Sequence, residues 1–512
     1  MAVEVPPPPP APEPPPPPKP AFRPGFDGAA NTESLAALER GVLDGGTSAN
    51  ERQVFVGPYS TLDGVLTFRG GPERTGGAWG EIPENPRTLE VAWKRATTHG
   101  QPPWFGGSGW TGQPVIVRWP SVIRRSMTSL GRWRDDEQLV EVIQGSLDGS
   151  VYFFDLRTGQ PTRKPLRTGN PIKGSVSLDP RGTPLLFVGQ GIPRKVPIGL
   201  RVYELVTQRE VFFLPGSDRA APRREWGAFD SSGLLNRATD TYLVGGENGL
   251  LYLLKLNTVF DPLALTLSLA PHATRYRYRE EGNVSFGIEN SLSVAGNLAF
   301  FADNGGTIQA LDLRTFEPRW AFDAGDDTDA SITIDYEDAK PVLYTGCEVD
   351  KTGPKGHTHL RKLDGLTGAV QWERSYACQG ARTPKKIDAG VFATNAVGTG
   401  DVADLVFFTL ARCPGPDNGL VVALRKATGE EAWRLPLAAY SWSSPTLLTA
   451  RGGKRYLLQG GIGGTVRLLE AATGKQVAKL KLEGDIESSP AVFDDLAVLG
   501  TRGDRIYGIR IR

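Results

Sequence analysis

One unit recurs along the chain from about residue 140 to the C-terminus, and its period restricts the fold more than any other feature. Its clearest copies read GSLDGSVYFFDLRTGQP, ADNGGTIQALDLRTFEPRW, GHTHLRKLDGLTGAVQW, DNGLVVALRKATGEEAW and GIGGTVRLLEAATGKQV. Each is a turn signal, a short stretch of strand character, a tight turn containing Thr, and a further strand. Gly follows the Thr in four of these five copies, where a hairpin turn needs a residue at ease with positive φ. Two degenerate copies, GLRVYELVTQREVFF and ENGLLYLLKLNT, lie between them. The turn threonines Thr158, Thr207, Thr258, Thr315, Thr367, Thr428 and Thr473 stand 45 to 61 residues apart. That is the spacing of propeller blades and not of helical repeats.

A second marker lies roughly midway between the hairpins: a step of small residues leading into an apolar strand. It reads TGQPVIV from Thr111, GSVSL from Gly174, SSGLL from Ser231, NSLSV from Asn290, ASITI from Ala330, AGVFA from Ala389, SSPTLL from Ser443 and SSPAVF from Ser488. Eight inner strands against seven complete hairpins predict an all-β, eight-bladed propeller whose last blade is assembled from both chain ends. GDRIYGIRI, residues 503–511, supplies its third strand and LEVAWKRA, residues 89–96, its outer one, so that closure leaves no dangling edge. Trp93 then takes the place held elsewhere by Trp320, Trp372 and Trp433, each five residues after its turn threonine. A wide ring at blade period is expected to fill the diverging space between stacked sheets.

Composition is globular for the 512 residues, with 39% hydrophobic and 22% charged positions, and the formal net charge is +1. Such a balance offers no field for nucleic acid or anionic lipid. No run of 18 apolar residues is present to make a spanning helix. The start, MAVEVPPPPPAPEPPPPPKP, lacks the basic head and apolar core of a signal peptide, which read literally keeps the chain in the cytoplasm. Residues 1–30 are predicted to be a disordered proline-rich arm sampling polyproline II. Residues 31–52, including NTESLAALERG, are predicted to form a short helix and linker, and residues 53–512 the propeller.

The D-G-x-V/I-x-x-x-D-x-x-T-G-x-x-x-W pattern, the S-S-P steps at Ser443 and Ser488, and FRGGPERTG from Phe68 resemble the pyrroloquinoline-quinone-like (PQQ-like) repeat family. That family includes quinoprotein dehydrogenases and the propeller lipoprotein of outer-membrane β-barrel assembly; the likeness here is to the non-dehydrogenase branch. The resemblance covers nearly all of residues 65–512 and implies a periplasmic or cell-surface setting. The dehydrogenases carry two adjacent bonded cysteines against the cofactor, whereas Cys347, Cys378 and Cys413 are never adjacent. The lipid-bearing cysteine of the assembly lipoprotein is likewise absent near this N-terminus. The repeat itself is structural and does not fix an activity.

The residues just before the eight steps are Trp110, Lys173, Asp230, Glu289, Asp329, Asp388, Trp442 and Glu487. Equivalent positions on inner strands should ring the channel at one depth, giving an acidic collar. Crowded carboxyls raise one another's pKa or recruit a cation. Calcium suits these hard oxygens, with Asp230, Glu289 and Asp329 as metal candidates. Trp226 joins Trp110 and Trp442 at the same end, where aromatic and anionic groups suit a cationic or sugar-like ligand. His357 and His359 have no convergent third ligand. A single disulfide is open to Cys347 with Cys378 or to Cys378 with Cys413; three buried thiols are the expectation for the chain as written. No nucleophile elbow, Walker loop or HExxH occurs. The expected function is therefore a non-enzymatic scaffold without a cofactor that binds a protein partner or ligand. The alternatives are a quinone-dependent oxidoreductase or a carbohydrate-binding protein using the axial channel mouth, with Ca2+ or PQQ as the alternative cofactor.

Overall fold

A computed structural model describes residues 54–512 except 103, 111, 195, 279, 281, 352–355 and 381–387. The predicted arm and the predicted helix and linker lie outside the described residues. The remainder is the expected eight-bladed propeller. Blades one to eight begin at the strands Val115–Val117, Ser177–Leu178, Leu234–Asn236, Ser293–Ala295, Thr333–Glu337, Ala396–Val397, Thr446–Thr449 and Ala491–Phe493. Each blade meanders outward through antiparallel neighbours. In blade eight, Leu89–Ala96 pairs with Arg505–Ile511, Val91 opposite Ile509 and Trp93 opposite Gly508, so both chain ends close the ring. Blade three departs from the repeat. The turn at Thr258 leads into an extra hairpin, Val259–Asp261 with Thr266–Ser268, and the outer strand is His272–Tyr276.

Neighbouring blades are joined near the rim by one recurring contact. The Nε1 of Trp93, Trp320, Trp372 and Trp433 donates to the carbonyls of Leu156, Gly365, Lys426 and Ala471 on the next blade, at 2.7, 3.0, 2.8 and 2.9 Å. Each indole also covers that blade's turn glycine: a Cβ on Gly159, Gly368, Gly429 or Gly474 would lie 2.5 to 2.8 Å from the ring. The turn itself is set by its aspartate. In blade one the Asp155 carboxylate accepts from the Thr158 amide and hydroxyl at 3.0 and 2.7 Å. Positive φ alone does not demand glycine there, because Gln208 and Phe316 hold the same turn position with φ of 64° and 58°. Five residues after the turn threonines of the preceding blades stand Arg163 and Leu263 in place of tryptophan.

At the axis the small-residue steps form a belt. The backbone N–H of Ser232 donates to the Ser291 hydroxyl, Ser291 to Ser331, Ser331 to Thr394, Thr394 to Ser444 and Ser444 to Ser489, all between 2.9 and 3.1 Å. Gln113 N–H donates likewise to Ser175 at 3.0 Å. Below the belt the chain segment before blade one crosses the axis. Gly64–Val65 pairs with blade one and Ala78–Trp79 runs parallel to the first strand of blade eight. Between them Arg69 and Arg74 are fully buried. Arg69 donates to the carbonyls of Pro445 at 2.6 Å and Asn395 at 3.1 Å. Arg74 donates to Leu292 at 2.8 Å and Ser232 at 2.7 Å. Two cations thus spend their donors on blades three, four, six and seven, and burial lowers both guanidinium pKa values to about 10. The segment closes one end of the channel and leaves a blind cup at the other.

The rim contact makes a specific prediction. Gly429→Ala is expected to cost at least about 1 kcal/mol more than Gly296→Ala, because Gly296 also has positive φ, 59°, but has nothing near its missing Cβ. Urea unfolding of both variants, alone and with Trp372→Leu, checks this: the excess should vanish once the indole is gone.

Candidate ligand site at the channel mouth

The cup is lined by two rings, each set by the register of the repeat. Lys173, Asp230, Glu289, Asp329, Trp442 and Glu487 all stand four residues ahead of their first strand, as the aligned steps require. The remaining two expected members do not hold that register. In blade six the strand begins at Ala396 and the belt member is Thr394, so the ring position belongs to Phe392 and not to Asp388. The AGVFA segment resembles a step, but the true one, ATN, follows it. In blade one Gln113 takes the belt position, which leaves Trp110 one residue ahead of the ring. Its indole is buried and packs edge-on against Phe392 at 6.5 Å between centroids.

The second ring comes from the turns after the second strands: Glu247, Asn304 and Glu348 in blades three to five and Arg502 in blade eight. Sequence reasoning missed this ring, although the turn copies GGENG, ADNGG and GCEVD placed side by side carry it. Together the rings bring the acids of blades three to five against one another. Lys173 Nζ pairs closely with Asp230 and lies 3.7 Å from Glu289, with the Trp110 ring 5.8 Å away. Oxygens of Asp230, Glu247 and Glu289 converge within 4.8 Å, as do those of Asp327, Glu348 and Asp350. Asn304 Nδ2 bridges the two groups, donating to Glu289 at 2.8 Å and Asp327 at 3.4 Å. Asp329 faces the second group, while Asp230 and Glu289 belong to the first. On the other side of the cup Glu487 faces Arg502 at 3.7 Å, and Trp442 stacks obliquely on Phe392 and Tyr440. Trp226, partly exposed, donates from Nε1 to Glu247.

This crowding has electrostatic consequences. Burial, reinforced by Glu289 and Asp230, holds the Glu247 carboxyl well above the usual range. Burial and neighbouring acids do the same for Asp329 and Glu348. Asp230 is also raised by burial, with Lys173 opposing. Lys173 is the mirror case: burial pulls it down, yet Asp230, Glu289 and Glu247 hold it well above its ordinary value. Further out, burial pushes Asp303 up to about 6.

The cysteines depart from the expectation of three thiols. Cys378, ending the outer strand of blade five, is bonded to Cys413 in the turn after the second strand of blade six, while Cys347 is free and buried. Blade packing brings the two strand ends to a Cα separation of 4.2 Å, which selects the second of the two pairings that the sequence left open. His359 pairs with Glu373 at 2.9 Å on the sheet surface, away from both acid groups.

Known proteins match this geometry at the level of the fold. A family model described as outer membrane protein assembly factor BamB matches residues 417–512. The curated outer membrane protein assembly factor BamB of Burkholderia pseudomallei (strain K96243) is 23% identical over 379 residues, covering 71% of this chain and 80% of the relative. Among solved structures, the quinohemoprotein alcohol dehydrogenase from Comamonas testosteroni superposes with a TM-score of 0.56 at 13% identity, over 88% of this chain and 80% of that one. BamB from Moraxella catarrhalis gives 0.48 at 17% identity, over 72% and 93%. The class is thus a propeller of PQQ-like repeats. Within it, the chain is distantly similar to BamB.

The raised carboxyls set a pH dependence. A carboxyl with a higher pKa folded than unfolded keeps its proton on folding, so its contribution to stability is present at low pH and lost as pH rises through the folded value. Between pH 8 and pH 5 acidification should therefore raise the urea midpoint, and Glu348→Gln should flatten that rise.

Proposed function

We propose that this chain is a non-enzymatic scaffold of the bacterial cell envelope that binds a protein partner in outer-membrane protein assembly. The observation that carries the reading is the similarity to a curated assembly factor across 71% of the chain. Two features of the molecule support it. The Cys378–Cys413 disulfide suits an oxidising compartment. The propeller has its axis crossed by buried arginines that bind several blades, and it presents turns and an aromatic and acidic mouth to a partner. Among the described residues no helix is long and apolar enough to cross a membrane. The likeness to the quinohemoprotein concerns the fold alone, and the disulfide here joins residues 35 apart in sequence, not neighbours.

Removing the protein from the cells that make it tests this reading. Folded outer-membrane β-barrel proteins should fall in amount, and the wild-type chain should restore them. A form carrying Glu289→Lys and Trp226→Ala at the mouth should restore them poorly. Unchanged barrel levels in the deletion would count against the proposal.

A further inference from the structure

We propose that blade five carries a surface site for a transition-metal dication, copper(II) above all, chelated by the imidazoles of His357 and His359 with Glu373 orienting the second ring. The site lies on the sheet surface, apart from the channel mouth, and does not rest on the scaffold reading.

Both histidines belong to the third strand of blade five, Gly356–Asp364, which pairs with the outer strand Val370–Cys378. Side chains two residues apart on a strand share a face. Thr358 and Leu360, on the other face, are fully buried, while His357 is exposed and His359 partly so. Alternate Cα atoms of a strand stand about 7 Å apart, and a metal about 2 Å from one nitrogen of each ring lies within reach of both. The residues directly opposite are small, Ala377 facing His357 and Ser375 facing His359, which leaves the rings room to turn toward one ion.

A second observation prepares one ring for a metal. His359 Nδ1 lies 2.9 Å from Glu373 Oε1 and 3.0 Å from Ser375 Oγ. Burial works to raise the Glu373 carboxyl, but Arg361, which donates to its other oxygen at 2.6 Å, and His359 overcome it and hold the group below its ordinary value. An ionised carboxylate only accepts, so it keeps the His359 proton on Nδ1 and the lone pair on Nε2. That is the arrangement metal-ligating histidines adopt, with the far nitrogen's N–H given to a carboxylate. Ser375 and Glu373 share one nitrogen, so the trio is not an acyl-transfer triad, in which hydroxyl and acid sit on opposite nitrogens. Arg361 also donates to the Ala324 carbonyl at 3.0 Å, which ties its charge to the sheet and away from the open side of the rings. Imidazole nitrogen suits copper, zinc and nickel, and copper(II) heads the order of affinity. Two rings chelate the ion, and water completes its coordination.

The test uses the full, untagged chain stripped with chelator. Copper(II) chloride is titrated by calorimetry, and the bound ion is examined by electron paramagnetic resonance. One saturable site is expected, with hyperfine structure from two imidazole nitrogens. His357→Ala and His359→Ala should each weaken copper binding at least about tenfold, since the second ring adds to a linked first, and should leave the signature of fewer nitrogens. His99→Ala and His272→Ala should leave affinity unchanged. Glu373→Gln should weaken binding about tenfold with the two-nitrogen signal retained. Should His359→Ala fail to fold by circular dichroism, His357→Ala, at an exposed position, serves in its place. Absence of saturable binding at micromolar copper would overturn the proposal. So would unchanged affinity in His357→Ala, a single-nitrogen spectrum, or a loss confined to His99→Ala or His272→Ala, which would put the ion elsewhere. Unchanged affinity in Glu373→Gln would overturn its orienting role.

Discussion

A backbone amide of one blade donating to a serine or threonine hydroxyl of the next, repeated around the axis, is the contact on which the rest of this molecule depends. Each such bond adds only about 1 kcal/mol net, but a buried amide left without it would cost about 1–3 kcal/mol. The belt through Ser232, Ser291, Ser331, Thr394, Ser444 and Ser489 therefore sets both the closeness and the height of neighbouring blades. The arginines beneath it act on the same backbone. Arg69 and Arg74 take carbonyls two or three residues past the ring positions of blades three, four, six and seven, so the floor of the cup and the belt are one network. At the rim the indole-on-glycine contact repeats the bond between blades at a larger radius, in four of the interfaces.

The mouth is a consequence of that regularity. Once every step sits at one height, the residue ahead of each step lies in a ring, and the turn after each second strand lies in another. The fold places no demand on what those residues are, which leaves them free to carry chemistry. Here blades two to five have filled them with one lysine, one amide and a series of carboxylates, and blades six to eight with aromatics and an acid–arginine pair. The cup is therefore polarised from one side to the other. Its acidic half holds carboxyls raised by burial and by one another, and its aromatic half offers flat apolar faces beside Arg412, whose guanidinium lies 3.8 Å from the Tyr440 ring centroid.

Much of this was legible in the sequence because it is periodic. The turn threonines, the steps and the tryptophan stripe gave the blade count and the joining of Leu89–Ala96 to Arg505–Ile511. Six of the eight expected ring residues hold their register. The reading failed where periodicity gave way to local resemblance. Asp388 precedes a false step, since small residues followed by apolar ones occur by chance, whereas the hydroxyl at Thr394 is what the belt requires. The outer ring at Glu247, Asn304 and Glu348 was missed because its residues are chemically unlike from blade to blade. The Cys378–Cys413 bond depends on packing between blades, and the role of Arg69 and Arg74 on the chain folding back across the axis. Turn glycine is the instructive case: positive φ explains it only in part, and the tryptophan of the preceding blade explains why Gln208 and Phe316 can replace it.

The account's central claim is that this disc meets a protein partner through its open mouth and not through the opposite, arginine-sealed end. Site-specific photocrosslinking in the cells that make the protein tests it most directly, with the photoreactive residue at Trp226 beside the cup or at Tyr336 at the sealed end, both well exposed at 43% and 47%. The account predicts a discrete adduct with another envelope protein from position 226 and none from position 336. Adducts from 336 alone, or from neither position, would contradict it.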